Sequence, residues 1–154
     1  AKVFGMDFIL ATDAGMYVSD QAPHTVMAER GTVALGIELG EGGRLEPTEV
    51  QRGLRGIYNV FREVGMLPGS TESFGRRLVI SSMPEVRARR AGLLHRQVEL
   101  NEDVDEGQVL ATITNVFGEV VEEIRAPLAG PVVRTVTFPI VSTGERVVQL
   151  GISR

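Results

Sequence analysis

Val33 to Gly43 reads VALGIELGEGG: an apolar run that carries one carboxylate, Glu38, and breaks into glycines just ahead of a helix signal. Strand alternation sends Val33, Leu35, Ile37 and Leu39 to one face and Ala34, Gly36, Glu38 and Gly40 to the other. Glu38 then projects from a face otherwise stripped of side chains. Glycines in a strand often mark a place where a ligand or another backbone comes close, so small neighbours beside one acid suggest a floor under a bound molecule. The carboxyl end of a strand in an α/β sheet is also where such folds hold their ligands. A plainer role is an ion pair between Glu38 and an arginine at the end of the sheet.

The segments around this run read as α/β. Asp7 to Ala11 is a short apolar run, Pro23 to Arg30 predicts a short helix closed by Gly31, and Thr32 to Leu39 is the expected strand. A longer helix starts at Pro47, favoured by Thr48 and Glu49, and stops at Gly65. Val50, Leu54, Ile57, Phe61 and Val64 recur at spacings of four and three, one apolar stripe expected to pack on a sheet as core. Gly53 and Gly56 would each cost about 1 kcal/mol in an isolated helix, which points to a neighbour packed close against them.

A turn-rich stretch from Leu67 to Gly75 marks the expected domain boundary, giving domains 1–74 and 75–154. Beyond it the helical period is lost, and strands are expected over Arg77–Ser82, Leu93–Leu100, Gln108–Thr114, Glu119–Arg125, Pro131–Val136 and Arg146–Ile152. Many short strands separated by Gly, Asn and Pro turns imply a small all-β sandwich or barrel. A faint repeat runs through this half: Gly92, Val104, Gly107 and Leu110 match Gly130, Val141, Gly144 and Val147.

Composition limits the function classes. With 154 residues, 43% hydrophobic and 23% charged, the chain is an ordinary globular sequence. It has no run approaching the roughly 18 apolar residues of a membrane span and no signal-peptide pattern, so a cytoplasmic location is expected. The absence of cysteine removes disulfides and thiolate chemistry. A net charge of -4 argues against nucleic acid as a partner. The basic cluster Arg87, Arg89 and Arg90 reads as a solvated or salt-bridged strand edge. GEGGR fits neither G-x-G-x-x-G nor the P-loop with its lysine.

Two family resemblances rest on these residues. NEDVDEGQVLATI, APLAGPV and VSTGERVVQLG in the second half resemble the barrel-sandwich hybrid of biotinyl and lipoyl domains. Those carriers load a lysine on an exposed hairpin, whereas the only lysine here is Lys2, so an accessory role is expected for this half. The chain as a whole, through GIELGEGGRLEP, QRGLRGIYNVFREVGML and GEVVEEIRAP, resembles the C-terminal portion of the succinylglutamate desuccinylase and aspartoacylase family of zinc-dependent amidohydrolases related to carboxypeptidases.

The resemblance implies a partial zinc-carboxypeptidase-like α/β sheet with helices, followed by the all-β domain. It implies a hydrolase that removes an acetyl or succinyl group from an N-acylated amino acid, with Glu38, matching the acid of the family's E-x-G motif, as the catalytic glutamate. The implied cofactor is zinc, held in the family by an H-x-x-E pair and a later histidine upstream of the matched region. This chain has only His24 and His95, neither in an H-x-x-E motif, and both are expected to be structural. The opening AKVFG reads as the tail of a helix. The expectation is therefore a distal piece of a deacylase, inactive alone, with an exposed sheet edge that favours homo-oligomers. Arg44 and Tyr58 are substrate-contact candidates with surface or core roles as the alternative. A binding module in which Glu38 recognises a small amine or sugar hydroxyl, and a structural assembly subunit, stay open.

Overall fold

The computed structural model describes residues 1–10, 22–73 and 75–153. The chain divides into two compact units, Ala1–Leu78 and Val79–Arg154, with the division falling inside one strand.

The first unit holds strand β1 (Phe8–Leu10) and helices α1 (Pro23–Glu29) and α2 (Pro47–Glu63). Both helices open on proline at the first position, where the missing N–H is no loss. Both stop at a glycine in the left-handed region, Gly31 at φ +76° and Gly65 at φ +76°. Beyond Gly65 the Met66 N–H reaches back to the Phe61 carbonyl at 2.8 Å, which satisfies one of the last helical acceptors. Of the Asp7–Ala11 run, Phe8–Leu10 is a strand and Ala11 lies outside the described residues.

Two expectations for this unit are overturned. Thr32 to Leu39 makes no ladder with any described strand, and Val33 is 94% exposed. Apolar alternation creates a strand only where a second strand supplies the hydrogen bonds. The apolar stripe of α2 is also not its buried face. Val50, Leu54, Ile57 and Val64 are 43%, 40%, 43% and 61% exposed, while Gly53, Gly56 and Asn59 are buried. The glycines decide this orientation because they admit what a side chain would exclude. A Cβ at Gly56 would stand 2.4 Å from Phe4 Cε1, and one at Gly53 would stand 2.9 Å from Leu39 Cδ1.

Asn59 completes the buried face of α2. Its amide donates to the carbonyls of Val3 at 3.1 Å and Glu72 at 3.0 Å, and its oxygen accepts from the Glu72 N–H at 2.8 Å. One side chain thus ties the N-terminal segment and the stretch after the helix to α2.

The second unit is all-β. Strand β2 (Leu78–Ser82) enters it, followed by β3 (Glu85–Arg87), β4 (Gly92–Arg96), β5 (Asp103–Val104), β6 (Val109–Thr114), β7 (Val120–Arg125), β8 (Gly130–Thr135), β9 (Ile140–Val141), β10 (Arg146–Leu150) and β11 (Ile152–Ser153). Two four-stranded sheets form in the orders β3-β10-β8-β5 and β7-β6-β4-β9, with antiparallel pairing throughout. Leu94, Leu110, Ile113 and Ile124 from one and Val132, Val147, Val148 and Leu150 from the other belong to one buried apolar cluster.

The repeat corresponds to strands β4-β5-β6 and β8-β9-β10, with Gly107 and Gly144 as matching left-handed turns at φ +83° and +85°. Each short middle strand crosses to the other copy: β5 pairs with β8, and β9 pairs with β4. These two-residue strands are too short to show a period, which is why β5 and β9 were not expected. The strand expected to reach Leu100 ends at Arg96.

Candidate functional site

The segment that bears Glu38 is positioned from both of its ends. At its start, α1 brings the His24 ring over Gly36: a Cβ at Gly36 would lie 3.2 Å from Nδ1 and 3.4 Å from Cε1. At its end, Leu39 fills the notch at Gly53 of α2. Gly40, at φ +65°, turns the chain beside α2, where an added Cβ would meet Glu46 Oε2 at 3.3 Å and the Glu49 side chain at 3.6 Å. Arg44 pairs with Glu41 across the GEGG turn at 3.3 Å. Arg52 on α2 bonds Asp7 at 3.1 Å and stands 3.9 Å from Glu49.

Glu38 itself is exposed and makes no hydrogen bond or ion pair among the described residues. The arginine partner considered for it is not found there: Arg44 and Arg52 are committed to other carboxylates. Its exposure leaves the carboxylate open to a bound molecule.

The bare floor read from the sequence is corrected at one position. Gly36 is small because the His24 imidazole occupies the space where its side chain would be. The glycine was a readable signal of close approach; which group approaches was not, because α1 lies outside the local period. His24 opens α1 as expected, half-buried and with no hydrogen bond among the described residues. His95 lies on β4 as expected, where Nε2 meets Thr114 Oγ1 at 2.9 Å. Tyr58 is exposed on α2, and nothing described brings it to Glu38.

No group of three His, Cys, Asp or Glu side chains able to hold a metal occurs among the described residues. The chain has no cysteine, and the described residues do not fit a zinc centre of the usual three or four ligands. No helix of the described residues is long and apolar enough to cross a membrane.

The basic cluster is salt-bridged, as expected. Glu122 is buried on β7, where it accepts from Arg89 Nε at 3.0 Å and from the N–H groups of Arg89 and Arg90, both at 2.9 Å. Arg87 pairs with Glu85. A buried glutamate with three donors holds the turn after β3, a role that sequence alone did not single out.

No family profile matches the chain. The N-alpha-acetyl-L-2,4-diaminobutyric acid deacetylase of Halomonas elongata is 28% identical over 119 residues, which cover 73% of this chain and 34% of that protein. The apo structure of the ectoine utilization protein EutE (DoeB) from Ruegeria pomeroyi superposes with TM-score 0.83 at 24% identity, covering 99% of this chain and 49% of that one. A succinylglutamate desuccinylase/aspartoacylase from Rhodobacter sphaeroides superposes with TM-score 0.81 at 25% identity, covering 100% and 48%.

The chain matches the C-terminal part of the succinylglutamate desuccinylase/aspartoacylase family. It spans about a third of the curated relative and about half of these solved structures.

Proposed function

We propose that this chain is the portion of an N-acyl amino acid deacylase that carries the general base, Glu38, and an accessory β domain. The reaction hydrolyses a linear amide. Glu38 takes a proton from the attacking water as the oxygen adds to the amide carbon, then gives that proton to the nitrogen as the C–N bond breaks. The products are a carboxylate such as acetate or succinate and a free amine. An exposed glutamate next to a glycine turn, with no arginine partner among the described residues, supports this assignment.

Zinc belongs to this reading through the family resemblance alone. Because the described residues do not supply its ligands, the reading draws them from sequence beyond this chain, and the 154 residues by themselves should not turn over substrate. The substrate class follows the Halomonas relative, whose name specifies an N-acetylated diamino acid. The expected place of action is the cytoplasm.

The test is to express the complete reading frame that contains this chain and assay release of acetate or succinate from N-acyl amino acids. Glu38→Gln should lower kcat by about 10²–10⁴ while zinc content stays unchanged. Near-normal turnover removes Glu38 from the role. The exposed carboxylate of Glu38 beside the glycine turn would also suit a second reading, a small-ligand module without catalysis. Saturable binding of an amine without turnover by the complete protein would establish that reading instead.

A further inference from the structure

The His24 imidazole packs at the Glu38 segment with no hydrogen bond among the described residues. Its Nδ1–Cε1 edge fills the space over Gly36, and Nε2 lies farther from that position than the Nδ1, Cε1 and Cγ atoms. Gly36 and Glu38 are separated by one residue, so their α-carbons can be no more than about 7.6 Å apart. Neither His24 nor Glu38 has a hydrogen-bond or ion-pair partner among the described residues, although both are equipped for one. The other histidine, His95, is already engaged by Thr114.

We propose that His24 is a second substrate-binding residue of this site, whose Nε2–H donates to a carboxylate oxygen of the N-acyl amino acid that Glu38 hydrolyses. The inference rests on the hydrolytic reading of Glu38. The carboxylate is the one permanently charged acceptor that every N-acyl amino acid carries, and charge-assisted hydrogen bonds are the stronger kind. Imidazole and glutamate rooted this close together can serve two ends of one small molecule.

The test uses the complete protein with an N-acetyl amino acid and its carboxamide analogue as probes. In the Glu38→Gln background, adding His24→Ala should weaken binding of the carboxylate probe about tenfold or more. The same addition should change binding of the carboxamide probe little. With Glu38 intact, His24→Ala should raise KM by a similar factor and leave kcat within about threefold, whereas His24→Asn, which keeps a donor, should recover part of the loss. Equal binding with and without His24, or an equal loss for both probes, overturns the proposal. If Glu38→Gln abolishes turnover while His24→Ala is silent, only this inference fails. If Glu38→Gln turns over normally, the hydrolytic reading fails, and the binding comparison still decides whether His24 contacts the ligand's carboxylate.

Discussion

Gly130 stands opposite Val104 in the β5–β8 ladder, and Gly92, its counterpart in the repeat, stands opposite Val141 in the β4–β9 ladder. Both glycines also lie against main chain. A Cβ at Gly130 would sit 2.6 Å from the Gly151 carbonyl oxygen, and one at Gly92 would sit 2.3 Å from the Thr114 oxygen. The two copies are joined through the positions at which neither can carry a side chain.

Gly92→Ala and Gly130→Ala should each destabilise the β unit by about 1–3 kcal/mol, because main chain cannot yield as a flexible side chain would. Gly75→Ala, with nothing within 4 Å and no left-handed φ, is the control and should stay within about 0.5 kcal/mol. Urea midpoints measure all three, and an unperturbed Gly92→Ala would remove the repeat junction as a constraint.

Gly56→Ala should destabilise the first unit by driving a methyl group into the Phe4 ring, at a cost of about 1–3 kcal/mol. In a Phe4→Ala background the same substitution should cost much less, or become favourable through helix propensity. A double-mutant cycle on thermal unfolding reads the coupling; additive effects would mean that Phe4 does not seat there in solution.

Asn59→Ala removes three hydrogen bonds at once and leaves the Glu72 N–H and two carbonyls to find other partners. A loss of about 2–3 kcal/mol is expected. Faster amide exchange at Glu72 should accompany it, and unchanged exchange there would show that the Asn59 bridge is not formed.

The hydrogen bond from Arg146 at 2.8 Å, reinforced by Arg87, holds the Glu85 carboxyl below the ordinary glutamate value against the opposing effect of desolvation. A carboxyl depressed in the folded state stabilises the fold above its unfolded pKa of about 4.3, and that contribution is lost as pH falls through the folded pKa. Glu85→Gln should therefore flatten the acid limb of the stability–pH curve below about pH 4 and leave its shape near neutrality unchanged. An acid limb of the same slope in the variant would assign the sensitivity to other carboxylates.

Much of this fold was written in local signals. Proline at the start of α1 and α2 and glycine after each set helix boundaries by backbone geometry alone, and short runs between Gly, Asn and Pro turns marked β6, β7, β8 and β10. The matching turns at Gly107 and Gly144 were visible because left-handed backbone selects glycine wherever it occurs. Glu38 was legible as a candidate because an acid flanked by small residues is locally anomalous.

Other features depended on partners distant in sequence. The Thr32–Leu39 run has strand composition but no described strand beside it, so the pattern alone could not make a ladder. The apolar stripe of α2 obeys the helical period, yet Phe4 and Leu39 bury the glycine face instead, because close approach depends on what is missing from a side chain as much as on what it carries. The sequence by itself determined where the two helices start and stop and which residues could do chemistry, since those depend on neighbours along the chain. Only the tertiary structure decided which helix face is covered, that His24 lies over Gly36, and that Glu122 and Asn59 are internal ties, because each depends on a contact between segments with no shared local pattern.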